Sequence, residues 1–416
     1  MMETFFYLLS GIVLWTYFGY PLVILIRAAV WKRPYRSESI TPKVSMIIAC
    51  YNEEEGIQAK LENILSLDYP EEQLEVIIVS DGSTDQTEEI VRQYCNNQVQ
   101  LICLLRGGKA PALNAAVATA RGEVLIFSDA NSMYRADAIQ NIVRPFADLD
   151  VGGVAGNQVY RSAQQSGIAA DGEKSYWDFD RMLKVAQSCS GNAISATGAI
   201  YAIRRCLFRE VPDGVTDDFV TSTQIIAQKK RLVFEPKAIC YEPVAGAVKA
   251  EFGRKTRVIT RGLRGVIVMR ELLNPFQHGF YSLQLFSHKV LRRLVVFPLV
   301  ALALITPFLW NNGWWFQVAT LLQVALYCAA IAGLLMSKTN LKSPKCFSVP
   351  FYFCMVNTAV IVAVVNTLRN KRIALWNPER PNTPSITTTN PCHSQCDTHQ
   401  FESYKECKEE LEEVRK

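Results

Sequence analysis

The stretch VLIFSDANSMY, residues 124–134, is apolar for four residues and then turns polar at Ser128, Asp129, Ala130 and Asn131. An acid and an amide two positions apart at a strand end can be a turn, since both residue types favour turns. They can also be two oxygen ligands that leave a sheet together toward a hard divalent cation. Two other apolar runs end in polar clusters, one in Tyr51-Asn52-Glu53 and one in Asp81-Gly82-Ser83. Farther along, Thr216-Asp217-Asp218 reads as a helix start, with Thr216 as cap and the two acids in the first turn. Arg254, Arg257, Arg261 and Arg264 fall at i, i+3, i+7 and i+10, one face of a helix. Taken alone, that face suits a basic helix lying on lipid headgroups.

The elements that must position these residues follow from periodicity. Val44–Ala49 is a short apolar run, and Glu54–Leu67 carries Ile57, Leu61, Ile64 and Leu65 at helical spacing. Leu74–Val79 predicts a second strand, with Thr84 or Asp85 capping a helix that runs to Tyr94. Val99–Leu104 predicts a third strand, Ala110–Ala120 a helix and Val124–Phe127 a fourth strand. Strand–helix alternation with continuous apolar strands implies an α/β domain with a mostly parallel sheet covered on both faces. Ligands bind beyond the carboxyl ends of such strands, where the three polar clusters sit. The first strand is followed by no GxGxxG, and Gly107-Gly108-Lys109 is followed by Ala, so neither the dinucleotide fingerprint nor the Walker pattern is present.

The 416 residues are 49% hydrophobic, with a mean hydropathy of +0.08. The excess is concentrated in Phe5–Val30, Leu294–Trp310, Trp314–Met336 and Phe351–Leu368, each a candidate membrane span. The first stretch has no basic residue before it and several after it (Arg27, Lys32, Arg33, Arg36), so it reads as an uncleaved anchor rather than a signal peptide. The same bias predicts a cytoplasmic location for residues 31–290. Counting four spans would put the tail outside, whereas Arg369, Lys371 and Arg372 favour the inside. Twelve scattered cysteines fit a reduced compartment, and a net charge of +5 gives no reason to expect nucleic acid. Gln284–Arg293 mixes apolar and basic positions and reads as an interfacial helix. In the Pro/Ser/Thr-rich tail, Cys392, His393, Cys396 and His399 match no standard zinc spacing.

Residues 44–262 resemble the catalytic domain of membrane-embedded family 2 glycosyltransferases, the group that includes hyaluronan, chitin, cellulose and poly-N-acetylglucosamine synthases. The matching pieces, in order, are VSMIIACYNEE, VIIVSDGSTDQT, RGGKAPALNAA, GEVLIFSDAN, SATGAIYAIRR, VTDDF and RKTRVITRG. The resemblance implies a GT-A-like nucleotide-sugar-binding fold and a UDP-sugar donor. It implies that Tyr51, Glu53 and Asp81 hold the nucleoside, that Lys109 faces the donor diphosphate and that Asn114 organises the loop. Asp129 and Asn131 occupy the Asp-x-Asp positions and imply Mg²⁺ or Mn²⁺, with Asn supplying a neutral oxygen in place of the second acid.

Asp218 matches the last acid of the family's Thr-Glu-Asp motif, which makes it the expected base that takes a proton from the acceptor hydroxyl. Gly198 matches the acceptor-side strand, where a missing side chain lets backbone approach a sugar. Arg257 and Arg261 fall in the place of the Gln-x-x-Arg-Trp motif and are expected on the diphosphate. Val258 stands where those synthases carry the acceptor-site Trp. Tyr176 and Trp177 are candidate stacking surfaces.

The expected organisation is an anchor over 1–31, a glycosyltransferase domain over 32–270 and an interfacial region over 271–293. Membrane helices over 294–368 and a partly disordered tail over 369–416 complete it. The expected activity is inverting transfer from a UDP-sugar to a growing polysaccharide, with membrane lipids around the helices. Transfer of one sugar to a lipid-linked acceptor is the alternative within enzymes. An inactive nucleotide-sugar sensor is the alternative outside them, and a base at Asp218 argues against it.

Overall fold

The computed structural model describes residues 1–161, 168–243, 248–337 and 344–371. Side chains of 160–161, 168–178, 243 and 248–251 are outside that description, so Tyr176 and Trp177 are placed by backbone only. Cys392, His393, Cys396, His399 and Arg372 lie outside the described residues.

The strands are β1 (Val44–Cys50), β2 (Leu74–Asp81), β3 (Val99–Leu104), β4 (Val124–Asp129), β5 (Met133–Tyr134), β6 (Val151–Arg161), β7 (Tyr201–Arg204) and β8 (Arg231–Pro243). They form one sheet in the order β3-β2-β1-β4-β7-β6-β8-β5. The β3-β2-β1-β4 half is parallel, as the alternating pattern predicts. Beyond it the sheet is mixed, because β7 runs antiparallel to both β4 and β6 while β8 is parallel to β6.

The helices are α1 (Met2–Val30), α2 (Ile57–Leu65), α3 (Thr87–Tyr94), α4 (Lys109–Thr119), α5 (Ala138–Val143), α6 (Ile168–Ser190), α7 (Asp217–Ala227) and α8 (Val248–Val268). Then come α9 (Phe280–Leu294), α10 (Val296–Asn312), α11 (Trp314–Ser337) and α12 (Lys345–Leu368). The first helix after β1 starts at Ile57 rather than Glu54. The backbone amides of Glu53 and Glu54 before it donate to Thr87 Oγ1 and Asp85 Oδ2.

Every residue of β1 is buried, which is what a central parallel strand requires. Its side chains alternate between two cores. Met46, Ile48 and Cys50 pack with Val76, Ile78 and the apolar stripes Ile57, Leu61 and Ile64 of α2 and Val91 of α3. Ile47 and Ala49 pack on the other face with Ala112, Leu113 and Ala116 of α4 and with Phe219 and Val220 of α7. Burying one such side chain contributes about 1.5–3 kcal/mol, so the sheet is the rigid frame on which its own ends are mounted.

Among the described residues, three helices are long and apolar enough to cross a membrane: α1, α11 and α12. The stretch expected as a further span is divided between α9 and α10, which are bent by 48° at Val295. The bend lies just before Pro298, which has no N–H for the Leu294 carbonyl and whose ring crowds it, as expected for a proline kink. Gln284–Arg293, expected to be interfacial, lies within α9.

Candidate active site

Register brings the polar clusters together. Ala49 of β1 stands opposite both Val79 of β2 and Asp129 of β4, and Cys50 opposite Ser80. Loops 51–54, 81–87 and 129–132 therefore leave neighbouring strands at the same edge.

The first two loops are stitched to each other. Asn52 adopts a left-handed φ of 52°, a conformation that Asn tolerates. Its Oδ1 accepts from the Thr84 amide at 2.8 Å, and its own amide donates to Ser83 Oγ at 3.1 Å. The cap position of α3 is Gln86, without a side-chain cap bond, rather than Thr84 or Asp85; Asp85, one residue earlier, accepts from the Thr87 amide at 3.0 Å. Glu53 is half-buried beside this seam.

Asp81 is 1% exposed and is the acceptor for a third loop. Its Oδ1 accepts from the Gly107 and Gly108 amides at 2.7 and 2.9 Å, and its Oδ2 pairs with Arg106. The Arg106 guanidinium lies 3.3 Å from the centroid of the Tyr51 ring. Two glycines make this approach possible. Gly82 has φ 68°, and a Cβ there would meet the Arg106 amide at 2.8 Å; Gly108 has φ 102°. Tyr51, Asp81 and Arg106 thus form one unit at the β1–β2 edge. Arg106 opens the segment RGGKAPALNAA, yet no spacing argument singles it out from sequence.

Lys109 opens α4, an end where a cation opposes the helix dipole. The conflict is offset by two acids. Its Nζ lies 2.6 Å from Asp129 Oδ1 and 3.1 Å from Asp217 Oδ2. Burial alone would lower the Lys109 pKa, but the two carboxylates outweigh it and hold the ammonium above its ordinary value. Asn114, one turn along α4, exchanges two hydrogen bonds with the Val211 backbone at 2.9 and 3.0 Å. That exchange ties α4 to the segment leading into α7.

Asp129 is one-third exposed at the end of β4, and Asn131 is exposed two residues on. Pairing of Phe127 with Tyr201 brings the turn before β7 alongside. There a Cβ on Gly198 would meet Asp129 Oδ2 at 2.9 Å. The missing side chain of Gly198 makes room for the Asp129 carboxylate, a different neighbour from the sugar that the sequence suggested. Among the described residues no group of three or more His, Cys, Asp or Glu gathers as a metal site. Asp129 and Asn131 are thus a two-oxygen donor set open to solvent. That is the composition expected where substrate phosphates and water complete the shell of a hard cation.

Thr216 occupies the cap position of α7, but its hydroxyl makes no hydrogen bond among the described residues. Asp217 and Asp218 both sit in the first turn. Asp217 is 6% exposed, and its Oδ1 is 3.7 Å from Arg261. Burial raises its pKa, yet Lys109 and Arg261 prevail and hold it low. Among the described residues Asp218 has no such cation contact; its Oδ1 accepts from the Phe219 amide at 2.7 Å. Burial, reinforced by the neighbouring Asp217 charge, pushes Asp218 up to about 6. Two adjacent acids are thereby set apart, one as a fixed anion and one near the working range of a base. From sequence Asp217 carried only a helix-start role.

Arg261 also donates from Nε to the Val215 carbonyl at 2.8 Å, so it positions the start of α7. Arg264 donates to Asn370 Oδ1 at 3.0 Å, beyond the last helix. Arg254 and Arg257 are half-buried on α8, and Val258, directly after Arg257, is 47% exposed.

Residues 45–211 match the family model described as glycosyl transferase family 2. The poly-beta-1,6-N-acetyl-D-glucosamine synthase of Staphylococcus epidermidis is 28% identical over 221 residues, 51% of this chain and 53% of its own. The synthase of the same name from Staphylococcus aureus strain COL is 28% identical over 223 residues, 52% of this chain and 53% of its own. The chain thus spans about half the length of these curated relatives. Among solved structures, a mannosyltransferase of Pyrobaculum calidifontis, in complex with GDP-Man and Mn²⁺, superposes with a TM-score of 0.65 at 24% identity. That alignment covers 89% of this chain and 100% of the other, and it establishes a shared GT-A-like fold. With the sheet order, the strand-end clusters and the family match in agreement, residues 45–211 are a glycosyl transferase family 2 domain.

Proposed function

We propose that this chain is an inverting membrane glycosyltransferase that transfers a sugar from a UDP-sugar to a growing polysaccharide on the cytoplasmic side of a membrane. The observation that carries the reading is Asp218: a half-buried carboxylate with a raised pKa, beside a cation–acid cluster, at the ligand-binding edge of a family 2 domain. Binding a nucleotide-sugar requires no such base, which disfavours an inactive sensor.

In this reading Tyr51, Glu53 and Asp81 hold the nucleoside, with Arg106 completing the wall. Asp129 and Asn131 would hold Mg²⁺ or Mn²⁺, which when bound would supply positive charge to offset that of the leaving diphosphate. Lys109, already poised against Asp129 and Asp217, supplies a further positive charge toward the phosphates. Arg257 reaches the same phosphates, while Arg261 keeps Asp217 and the start of α7 in place. The acceptor hydroxyl lies against Asp218, which takes its proton as the oxygen attacks the anomeric carbon from the face opposite the diphosphate. Gly198 keeps the space beside Asp129 clear on the acceptor side.

Exposed Val258, in place of the Trp of the processive synthases, favours a second reading in which one sugar goes to a lipid-linked acceptor. The deciding experiment supplies the purified, lipid-reconstituted protein with radiolabelled UDP-sugars and Mg²⁺ or Mn²⁺, beside Asp218→Asn. Long product from one donor, reduced by about 10²–10⁴-fold in the variant, supports a polysaccharide synthase and names its sugar. A single-sugar lipid product selects the second reading. Donor binding without turnover in either protein removes Asp218 as a base.

A further inference from the structure

The side chain of Lys60 on α2 is 0% exposed, a rare place for a lysine. Among the described residues it makes no ion pair. Its ammonium is spent on the turn that carries Asp129 and Asn131. Nζ donates to Ser128 Oγ at 2.8 Å and to the Ser132 carbonyl, the two residues that bracket the turn. It also lies 4.3 Å from the centroid of the Tyr134 ring, which follows the same turn.

Asn63, one helical turn along, fixes the exit of the loop. Its Oδ1 accepts from the Tyr134 amide at 2.7 Å and its Nδ2 donates to the Tyr134 carbonyl at 2.9 Å. From the opposite side Glu242 at the end of β8 accepts from Ser132 Oγ at 2.6 Å. Ser132 is therefore gripped twice, by its carbonyl from α2 and by its hydroxyl from β8. Lys60 otherwise shares a helix face with Ile57, Leu61 and Ile64, where a leucine would satisfy the core.

We infer that Lys60 is a positioning residue that closes the Ser128–Ser132 turn from beneath and so sets the spacing of Asp129 and Asn131 as cation ligands. The inference rests on the proposed reading of those two residues. Groups that orient ligands from behind typically alter metal affinity by about 10–100-fold when removed.

The test uses the full chain in lipid nanodiscs: wild type, Lys60→Met, which keeps the length of the side chain without its charge or donors, and Ser128→Ala, which removes one bond only. Mn²⁺ binding with saturating UDP is followed by the loss of the free-ion paramagnetic resonance signal, and folding by thermal melting. The expected result is a rise of about tenfold or more in half-saturating Mn²⁺ for Lys60→Met and a smaller rise for Ser128→Ala. Turnover should recover substantially at high Mn²⁺. A folded Lys60→Met with unchanged half-saturation overturns the inference, as does a loss of binding that only tracks the loss of folded protein. If Lys60→Met does not fold, Ser128→Ala decides, and unchanged half-saturation there overturns it. Failure of wild type to bind Mn²⁺ with UDP overturns the reading of Asp129 and Asn131 itself, and the inference with it.

Discussion

Asp218 lets activity and stability be pulled in opposite directions. As a base it must be ionised, and its pKa is pushed up to about 6 by burial and by Asp217. The acid limb of kcat/KM is therefore expected near pH 6 rather than near the ordinary aspartate value of about 3.9. Asp217→Asn removes one of the two causes and should move the limb to lower pH, along with a loss of rate from a Lys109 left with Asp129 as its one carboxylate partner. Stability carries the reverse sign. A raised folded pKa means that the protonated acid suits the fold, so the contribution is present below about pH 4 and lost as pH rises through about 6. Asp218→Asn should accordingly melt higher than wild type at pH 7.5 while transferring sugar about 10²–10⁴-fold more slowly, and the two should converge near pH 4. Equal melting temperatures at pH 7.5 would show that the carboxylate is not strained by burial. Gly198→Ala tests the neighbouring contact. A Cβ 2.9 Å from Asp129 Oδ2 must displace that carboxylate, so turnover is expected to fall by about tenfold or more, as for other small displacements of reacting groups, with a small change in melting.

Between elements, the site depends on polar clasps rather than on helix ends alone. The Asn114–Val211 pair joins α4, which carries Lys109, to the segment that delivers Asp217 and Asp218. Asn114→Ala leaves a buried backbone group unpaired, a cost of about 1–3 kcal/mol. It should lower thermal stability and turnover together, whereas Asn114→Asp, which retains one acceptor, should lose less of both. Arg261 plays the same part from α8, through the Val215 carbonyl and Asp217. Arginines that spacing placed on one helix face therefore divide by partner: Arg261 to α7 and Arg264 to Asn370.

Across the whole molecule, α1 is joined to the domain through α6 and α9. Tyr20 and Ile24 pack with Leu183 and Ala186, Gln187 donates to the Tyr20 hydroxyl at 2.8 Å, and Trp15 donates to Ser287 Oγ at 3.1 Å. At the other end α12 packs along α8, the helix of Arg257 and Arg261, and against α11. The α11–α12 approach depends on Gly333, where a Cβ would meet the Phe347 carbonyl at 2.3 Å, the kind of close backbone contact that small residues provide between apolar helices. Gly333→Leu should separate the pair and lower the melting temperature of the detergent-solubilised protein, with a smaller loss of donor binding than of stability. Unchanged melting would mean that α11 and α12 do not support the domain.

The parallel half of the sheet, the strand-end position of Tyr51, Asp81 and Asp129, and the placement of Asp218 at a helix start were legible in the sequence. They are local properties: periodicity selects strands and helices, and a polar cluster after an apolar run marks the ligand edge of a parallel sheet. The antiparallel insertion of β7 was not legible, because strand order depends on which edges meet rather than on any one segment's pattern. Nor did spacing reveal that Gly198 makes room for Asp129, that Arg106 covers Tyr51 and Asp81, or that Lys60 lies buried beneath the Asp129 turn. Those pairs are separated by 25 to 69 residues in the chain, so only the tertiary structure brings them within contact. Sequence determined which residue types could do the chemistry and where along each element they stand. The fold decided which charges face each other, and hence that Asp217 is held as an anion while Asp218, one residue on, is pushed toward neutrality.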